Sequence, residues 1–211
     1  MATLKELTAE KHKQAESHPF VKILFSGEIA PKFYSTFLFN LHTCYNFVEV
    51  YAAMHGLTKD LPSELRRAPK IKDDYIELWG DTEVYPKVLE STQKYMEHIR
   101  LLNDIRPTGI LAHIYVRHMG DLAGGQMIAK KVPGSGTMYQ FEDPNRLKAE
   151  LRGLLTEQLA DEANRCFDFA IQTFNDMMAL DMPKTLVEVA AKEAELAEAA
   201  RQQAESETID A

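Results

Sequence analysis

The chain has 211 residues, 45% of them hydrophobic, and a formal net charge of −8 at pH 7. That is enough apolar material for one core of ordinary size, and the acidic balance excludes nucleic acid as the main partner, because phosphate binding needs a basic surface. No apolar run approaches the roughly 20 residues of a membrane span, and Met1-Ala2-Thr3-Leu4-Lys5-Glu6 lacks the basic-then-apolar layout of a signal peptide. The expectation is a soluble protein of the cytoplasm or of an organelle stroma, with no membrane partner.

The apolar spacing is helical nearly throughout, so the expected class is all-α. Thr3-Leu4-Lys5-Glu6 has the form of a capping box and opens a helix expected to run to about Ser17, ahead of Pro19. A short segment reaches Gly27. Pro31, suited to a first turn, begins a helix to about Met54, with His55-Gly56 as its stop. Leu61–Arg67 and Ile71–Leu78 read as short helices, and Pro86 starts another to about Asn103. After the break at Pro107-Thr108-Gly109, Ile110 begins a helix rich in glycine. Asp143-Pro144-Asn145 reads as an N-cap with Pro at the first position. It leads one long helix to about Leu180, whose apolar stripe includes Leu151, Leu155, Leu159, Ala163, Phe167, Ala170 and Phe174. Residues 188–211 hold seven acids against two bases. The expected organisation is therefore a helical domain over 1–182 and a weakly ordered, acidic, Ala/Glu-rich tail over 183–211. Cys44 and Cys166 lie far apart in apolar helical patterns and read as buried thiols, and no Cys-x-x-Cys or Cys/His cluster suggests zinc.

The most informative stretch is Tyr115-Val116-Arg117-His118-Met119-Gly120-Asp121-Leu122-Ala123-Gly124-Gly125-Gln126. Each mid-helix glycine costs about 0.5–1 kcal/mol relative to alanine, so something must offset three of them. Gly120 and Gly124 share a helix face. That face suits either close helix packing or a flat ligand lying against the backbone, with Asp121 beside it as acceptor and proton route. Arg117 and Asp121 are one turn apart, which fits an ordinary ion pair or a share in a buried polar network.

None of the seven histidines follows an acidic residue by three positions, which disfavours a di-iron carboxylate site. His12 has Glu16 one turn later, between the small residues Ala9 and Ala15. By spacing this is either a surface pair or a carboxylate orienting a histidine whose other nitrogen faces a metal or ligand.

The segment Leu7-Thr8-Ala9-Glu10-Lys11-His12-Lys13-Gln14-Ala15-Glu16 resembles the proximal helix of the haem oxygenases, and Tyr115–Gln126 resembles their distal helix, where Gly-Asp-Leu-Ser-Gly-Gly-Gln is usual. The resemblance extends over about residues 3–180 and implies haem b held between two helices, serving as both cofactor and substrate. It implies His12 as axial iron ligand, Glu16 as its orienting partner, and Gly120 and Gly124 as the backbone against the ring. Asp121, with Arg117 nearby, would deliver a proton through ordered water. Tyr115 reads as core by pattern and borders the haem on the resemblance. Lys5 and Arg152 match propionate contacts by position, with Arg146 and Lys148 as further candidates. The implied reaction uses O₂ and donor electrons to open haem to biliverdin, expected as the α isomer, with Fe²⁺ and CO.

Ala123 stands where the family often has Ser, His118 where Tyr is common, and Val48 and Ala170 where Tyr and Asn are frequent. The distal network is therefore expected to be rewired through Tyr45, Arg117 or His118. Two other classes share these features: a non-catalytic haem carrier or sensor, and a thiaminase-type enzyme with Cys166 as nucleophile. No flavin, nicotinamide or iron–sulfur motif is present, so electrons come from a separate donor, a ferredoxin or a flavoprotein reductase. A basic face at Lys11, Lys13, Lys22, Lys148 and Arg152 would steer an acidic one.

Overall fold

The computed structural model describes residues 3–80, 83–154 and 156–209, the last six of these by backbone alone. Leu155 of the apolar stripe and Asp210 of the tail lie outside the described residues. Helices dominate, and the one β-bridge among the described residues joins Ile29 to Thr185.

The first expected helix is two. α1 (Leu4–Leu7) opens on Thr3 with both halves of the capping box formed, and α2 (Ala9–Glu16) follows after Thr8. The break has a local cause: the buried Thr8 hydroxyl donates to the Leu4 carbonyl at 2.9 Å, competing with the helical ladder. α3 (Pro19–Ser26) ends on Gly27 in the left-handed conformation (φ 82°). α4 spans Pro31–Met54, as expected. α5 (Ala68–Trp79), α6 (Glu90–Ile105), α7 (Ile110–Ala123) and α8 (Gly125–Ile128) follow. Ser63–Leu65 forms only a 3-10 turn where a short helix was expected, and α6 starts four residues later than Pro86.

The long helix expected from Asp143 to Leu180 is also divided. α9 (Pro144–Gly153) is capped by Asp143, whose side chain accepts from the Arg146 N–H, and α10 (Ala160–Met178) begins after a 3-10 turn at Glu157–Leu159. Gly153 weakens the helix, and Thr156 adopts an extended conformation (φ −124°, ψ 156°). The bend lets one apolar stripe serve two cores: Leu147 and Leu151 pack with Val48, Ile114 and Leu122, whereas Leu159 and Ala163 pack with Leu4 and Ala112.

A further core gathers Phe20, Phe33, Phe37, Ile71 and Met138, with the Phe20 and Phe174 rings stacked at 5.0 Å. α11 (Leu186–Ile209) lies in the segment read as an acidic tail. Its start is tied to the bundle, with the Leu186 N–H donating to the Glu28 carbonyl and Val189 packing on the core. Residues 191–203 are exposed. No helix among the described residues is long and apolar enough to cross a membrane.

Candidate functional site

α2 and α7 both pack against α10, which sets the two motif-bearing helices on a common support. α2 buries none of its residues. It is anchored by the Lys11 ammonium on the Asp168 carboxylate of α10 at 2.5 Å. His12 Nδ1 lies 3.5 Å from Glu16 Oε2, so the pair read from the spacing forms. The ring meets Phe167 edge-on, with centroids 5.8 Å apart, and the side chain is 58% exposed. Nε2 has no protein partner among the described residues, which leaves its lone pair available to a ligand.

The three glycines of the distal motif do three different things. A Cβ on Gly120 would meet nothing within 4 Å, so this face opens onto empty space. Gly124 separates α7 from α8, interrupting the helix where the motif ends. Gly125 is a packing residue: a Cβ there would sit 2.5 Å from Cδ1 of the buried Tyr139. Packing and an open ligand face, the two readings of the sequence, are both realised, at different glycines. Gly120 and Ala123 lie exposed along the open face.

Asp121 sits behind that face. Its carboxylate accepts from the Tyr45 hydroxyl at 2.7 Å, and burial raises its pKa to about 6. Burial likewise pushes the Tyr45 phenol well above its ordinary range, which keeps it a donor. Arg117 forms no ion pair with Asp121 among the described residues. Its Nε donates to the Tyr95 hydroxyl at 3.0 Å, and its guanidinium lies over the Tyr95 ring at 4.3 Å. Of the two readings of Arg117, the buried network is the one formed.

His118 turns away from the open face. Nδ1 meets the Ile114 carbonyl at 2.9 Å and Nε2 meets Glu49 Oε1 at 3.2 Å. Glu49 also accepts from the backbone N–H groups of Arg67 and Ala68, capping α5. Val48 is wholly buried among apolar side chains. Of the three partners expected for the distal network, Tyr45 is the one that meets Asp121, while Arg117 is held by Tyr95 and His118 by Glu49. Sequence reasoning missed Tyr95 and Glu49, which lie on helices other than α7 and carry no local signal.

The expected cations divide. Lys5 and Arg152 are exposed and Lys148 is half-buried. Tyr115 is raised by burial, with the Arg152 charge opposing, and packs in the same small core as Leu4 beside Lys5. Arg146 is committed elsewhere, to Glu150 at 3.1 Å and Glu64 at 3.5 Å. Cys166 is fully buried and its thiol is pushed up to about 11 by burial, which removes the thiolate a thiaminase-type nucleophile needs.

Residues 1–176 match the sequence profile of the family described as Heme oxygenase. The chain belongs to the haem oxygenase family. It is 30% identical over 206 residues to Heme oxygenase 2 of Oryctolagus cuniculus, a match covering 82% of this chain and 64% of that one. The chain thus spans just under two-thirds of the length of the mammalian haem oxygenase 2 relatives it matches. Heme oxygenase 1 of Synechocystis sp. is 28% identical over 203 residues, covering 82% of each chain. Among solved structures, a haem oxygenase from Leptospira interrogans superposes with TM-score 0.72 at 26% identity, covering 81% of this chain and 96% of that one. Haem oxygenase-1 from Synechocystis sp. in complex with haem shares the fold with TM-score 0.77 at 24% identity, covering 93% and 96%.

Proposed function

We propose that this chain binds haem b between α2 and α7 and, with O₂ and electrons from an external protein donor, opens it to biliverdin, Fe²⁺ and CO, the α isomer being expected. The observation that carries the reading is the open, Cβ-free face at Gly120 directly beside the buried Asp121. The residues fit a large planar group. His12 offers an unpartnered Nε2 on one side, and the backbone at Gly120 and Gly124 can approach closely on the other. When bound, haem supplies the iron that activates O₂ and the ring that is cleaved.

The protein's own part is positional and protonic. Glu16 orients the His12 ring through Nδ1. Asp121, with a pKa of about 6, holds or releases a proton near neutral pH, and the Tyr45 hydroxyl fixes the carboxylate from which it acts. Arg117 lends a buried positive charge behind that pair. Lys5, Lys148 and Arg152 are the cations for the propionates, and Arg146 is released from this role by its own ion pairs. An acidic donor such as a ferredoxin, or a flavoprotein reductase, would meet Lys13, Lys22, Lys148 and Arg152, since Lys11 is held by Asp168. Rates that fall with rising salt would support this steering, and salt-insensitive rates would remove it. An aqueous compartment, cytoplasm or stroma, suits both donors.

The test is a haem titration followed by reductant and O₂, observed by absorption. The wild type is expected to give a saturable histidine-type Soret band that decays into biliverdin absorption, and His12→Ala to lose the histidine-type signature. A Soret band that survives reductant and O₂ would overturn the enzyme reading in favour of a carrier.

A further inference from the structure

About two turns before Gly120 on the distal helix, a second cluster of metal-ligating groups forms: His98 of α6, His113 of α7 and Glu162 of α10. We propose that these three residues bind one divalent transition cation of the zinc class, at a site separate from the haem site and independent of the function proposed above.

The three helices pack on one another in every pairwise combination, so the donors are held by the bundle. One ligand atom from each residue lies within 4.8 Å of the other two. Glu162 Oε1 is 2.5 Å from His98 Nε2 and 3.0 Å from His113 Nε2. A tetrahedral cation with bonds of about 2.0–2.1 Å sets its donors about 3.3–3.4 Å apart. The two nitrogen–oxygen separations therefore need to open by less than about 1 Å. His98, 12% exposed at the rim, is the side chain with room to move.

Two of the donors, His113 and Glu162, are in the states a metal requires. Burial lowers His113 to about 4, so its ring is neutral at pH 7. Burial opposes ionisation of Glu162, yet hydrogen bonds from His113 and His98 hold it below the usual carboxylate range. The outer partners are also present. The Tyr95 hydroxyl holds His113 Nδ1 at 3.0 Å, and the Arg106 guanidinium donates to Glu162 Oε2 at 3.1 Å, the second contact that orients a ligating carboxylate. Two imidazoles and one carboxylate select zinc, nickel, copper or cobalt over magnesium or calcium. The rim beside His98 leaves a fourth position for water.

At present one carboxylate oxygen receives both imidazole Nε2 groups. With a cation bound, each Nε2 gives its lone pair to the metal and each ring carries its proton on Nδ1. For His113 that proton points at the Tyr95 oxygen, and the Tyr95 hydroxyl must turn. Tyr95 also accepts from Arg117, so occupancy of this site is felt at the buried cation behind Asp121.

The full-length chain, haem-free and haem-loaded, is titrated with Zn²⁺ against a chromophoric chelator, and with Co²⁺ followed by its visible absorption. One equivalent is expected to bind in both forms, with affinity reduced more than about 100-fold in His98→Ala, a larger loss than outer-shell changes cause. Because His98 is at the rim, that variant is expected to fold. Glu162→Gln is expected to lose binding as well, and His12→Ala to retain it. Absence of saturable binding would overturn the proposal. So would binding unchanged in His98→Ala, or binding lost in His12→Ala.

Discussion

The two helices that carry the family motifs are built to opposite specifications. α2 is short, exposed and buries no residue; it meets α10 through the Lys11–Asp168 ion pair and the His12–Phe167 ring contact, and presents His12 with a single carboxylate beside it. α7 is embedded, and four of its polar side chains are met by partners from other helices: Asp121 by Tyr45, Arg117 by Tyr95, His118 by Glu49 and His113 by Glu162. A ligand nitrogen needs only an accessible lone pair and a fixed ring. A proton-handling carboxylate needs a low-dielectric setting that shifts its pKa and dipoles that stay where they are. On the proposed function, this asymmetry would give iron ligation to a surface helix and proton control to the core.

The largest expected effect follows from that division. Asp121→Ala should lower the rate of biliverdin formation by about 10²–10⁴-fold, the usual worth of a positioned proton donor, while haem still binds with its histidine-type Soret band. A variant that kept the wild-type rate would remove Asp121 from the proton route.

The pH dependence of stability sharpens the same contrast. In the haem-free protein, Asp121 has a folded-state pKa of about 6, above its ordinary value of 3.8. Folding therefore favours its protonated form. Its contribution to stability is fully present below the ordinary carboxylate pKa and is lost as pH rises through about 6. Asp121→Asn lacks this dependence. Its stability relative to wild type should rise between about pH 4 and pH 7 by on the order of 2–3 kcal/mol, measured by urea unfolding at each pH. A constant difference across that range would show that Asp121 is not buried as described.

The glycines give the next pair. Gly125→Ala drives a Cβ into the buried Tyr139 ring and should cost about 1–3 kcal/mol. Gly120→Ala meets no atom within 4 Å and should instead gain about 0.5–1 kcal/mol in the haem-free protein, while weakening haem binding at least about tenfold because the methyl enters the ligand face. Equal stability changes in the two variants would erase the distinction between packing glycine and ligand glycine. The smallest effect belongs to α2: Lys11→Ala breaks a partly exposed ion pair with Asp168 and should cost less than about 1 kcal/mol, read as a small shift in unfolding midpoint.

The sequence by itself determined what local chemistry encodes. The capping box at Thr3 and Glu6, the start and end of α4, the one-turn spacing of His12 and Glu16 and the glycine-rich turn at Gly120–Gly125 all depend on residues within a few positions of each other. Those regularities carried the all-α class and the family motifs. Tertiary structure decided the rest, because it depends on what arrives from elsewhere in the chain. Asp121 takes its partner from Tyr45, 76 residues away, rather than from Arg117 one turn back. His113 and His98 meet Glu162 across 49 and 64 residues, with no spacing to announce it. The helix expected to run unbroken from Asp143 bends before Ala160, because its apolar residues belong to two cores rather than one. The three glycines, indistinguishable in sequence, acquire separate roles from their surroundings: Tyr139 fills the space over Gly125, and nothing fills it over Gly120.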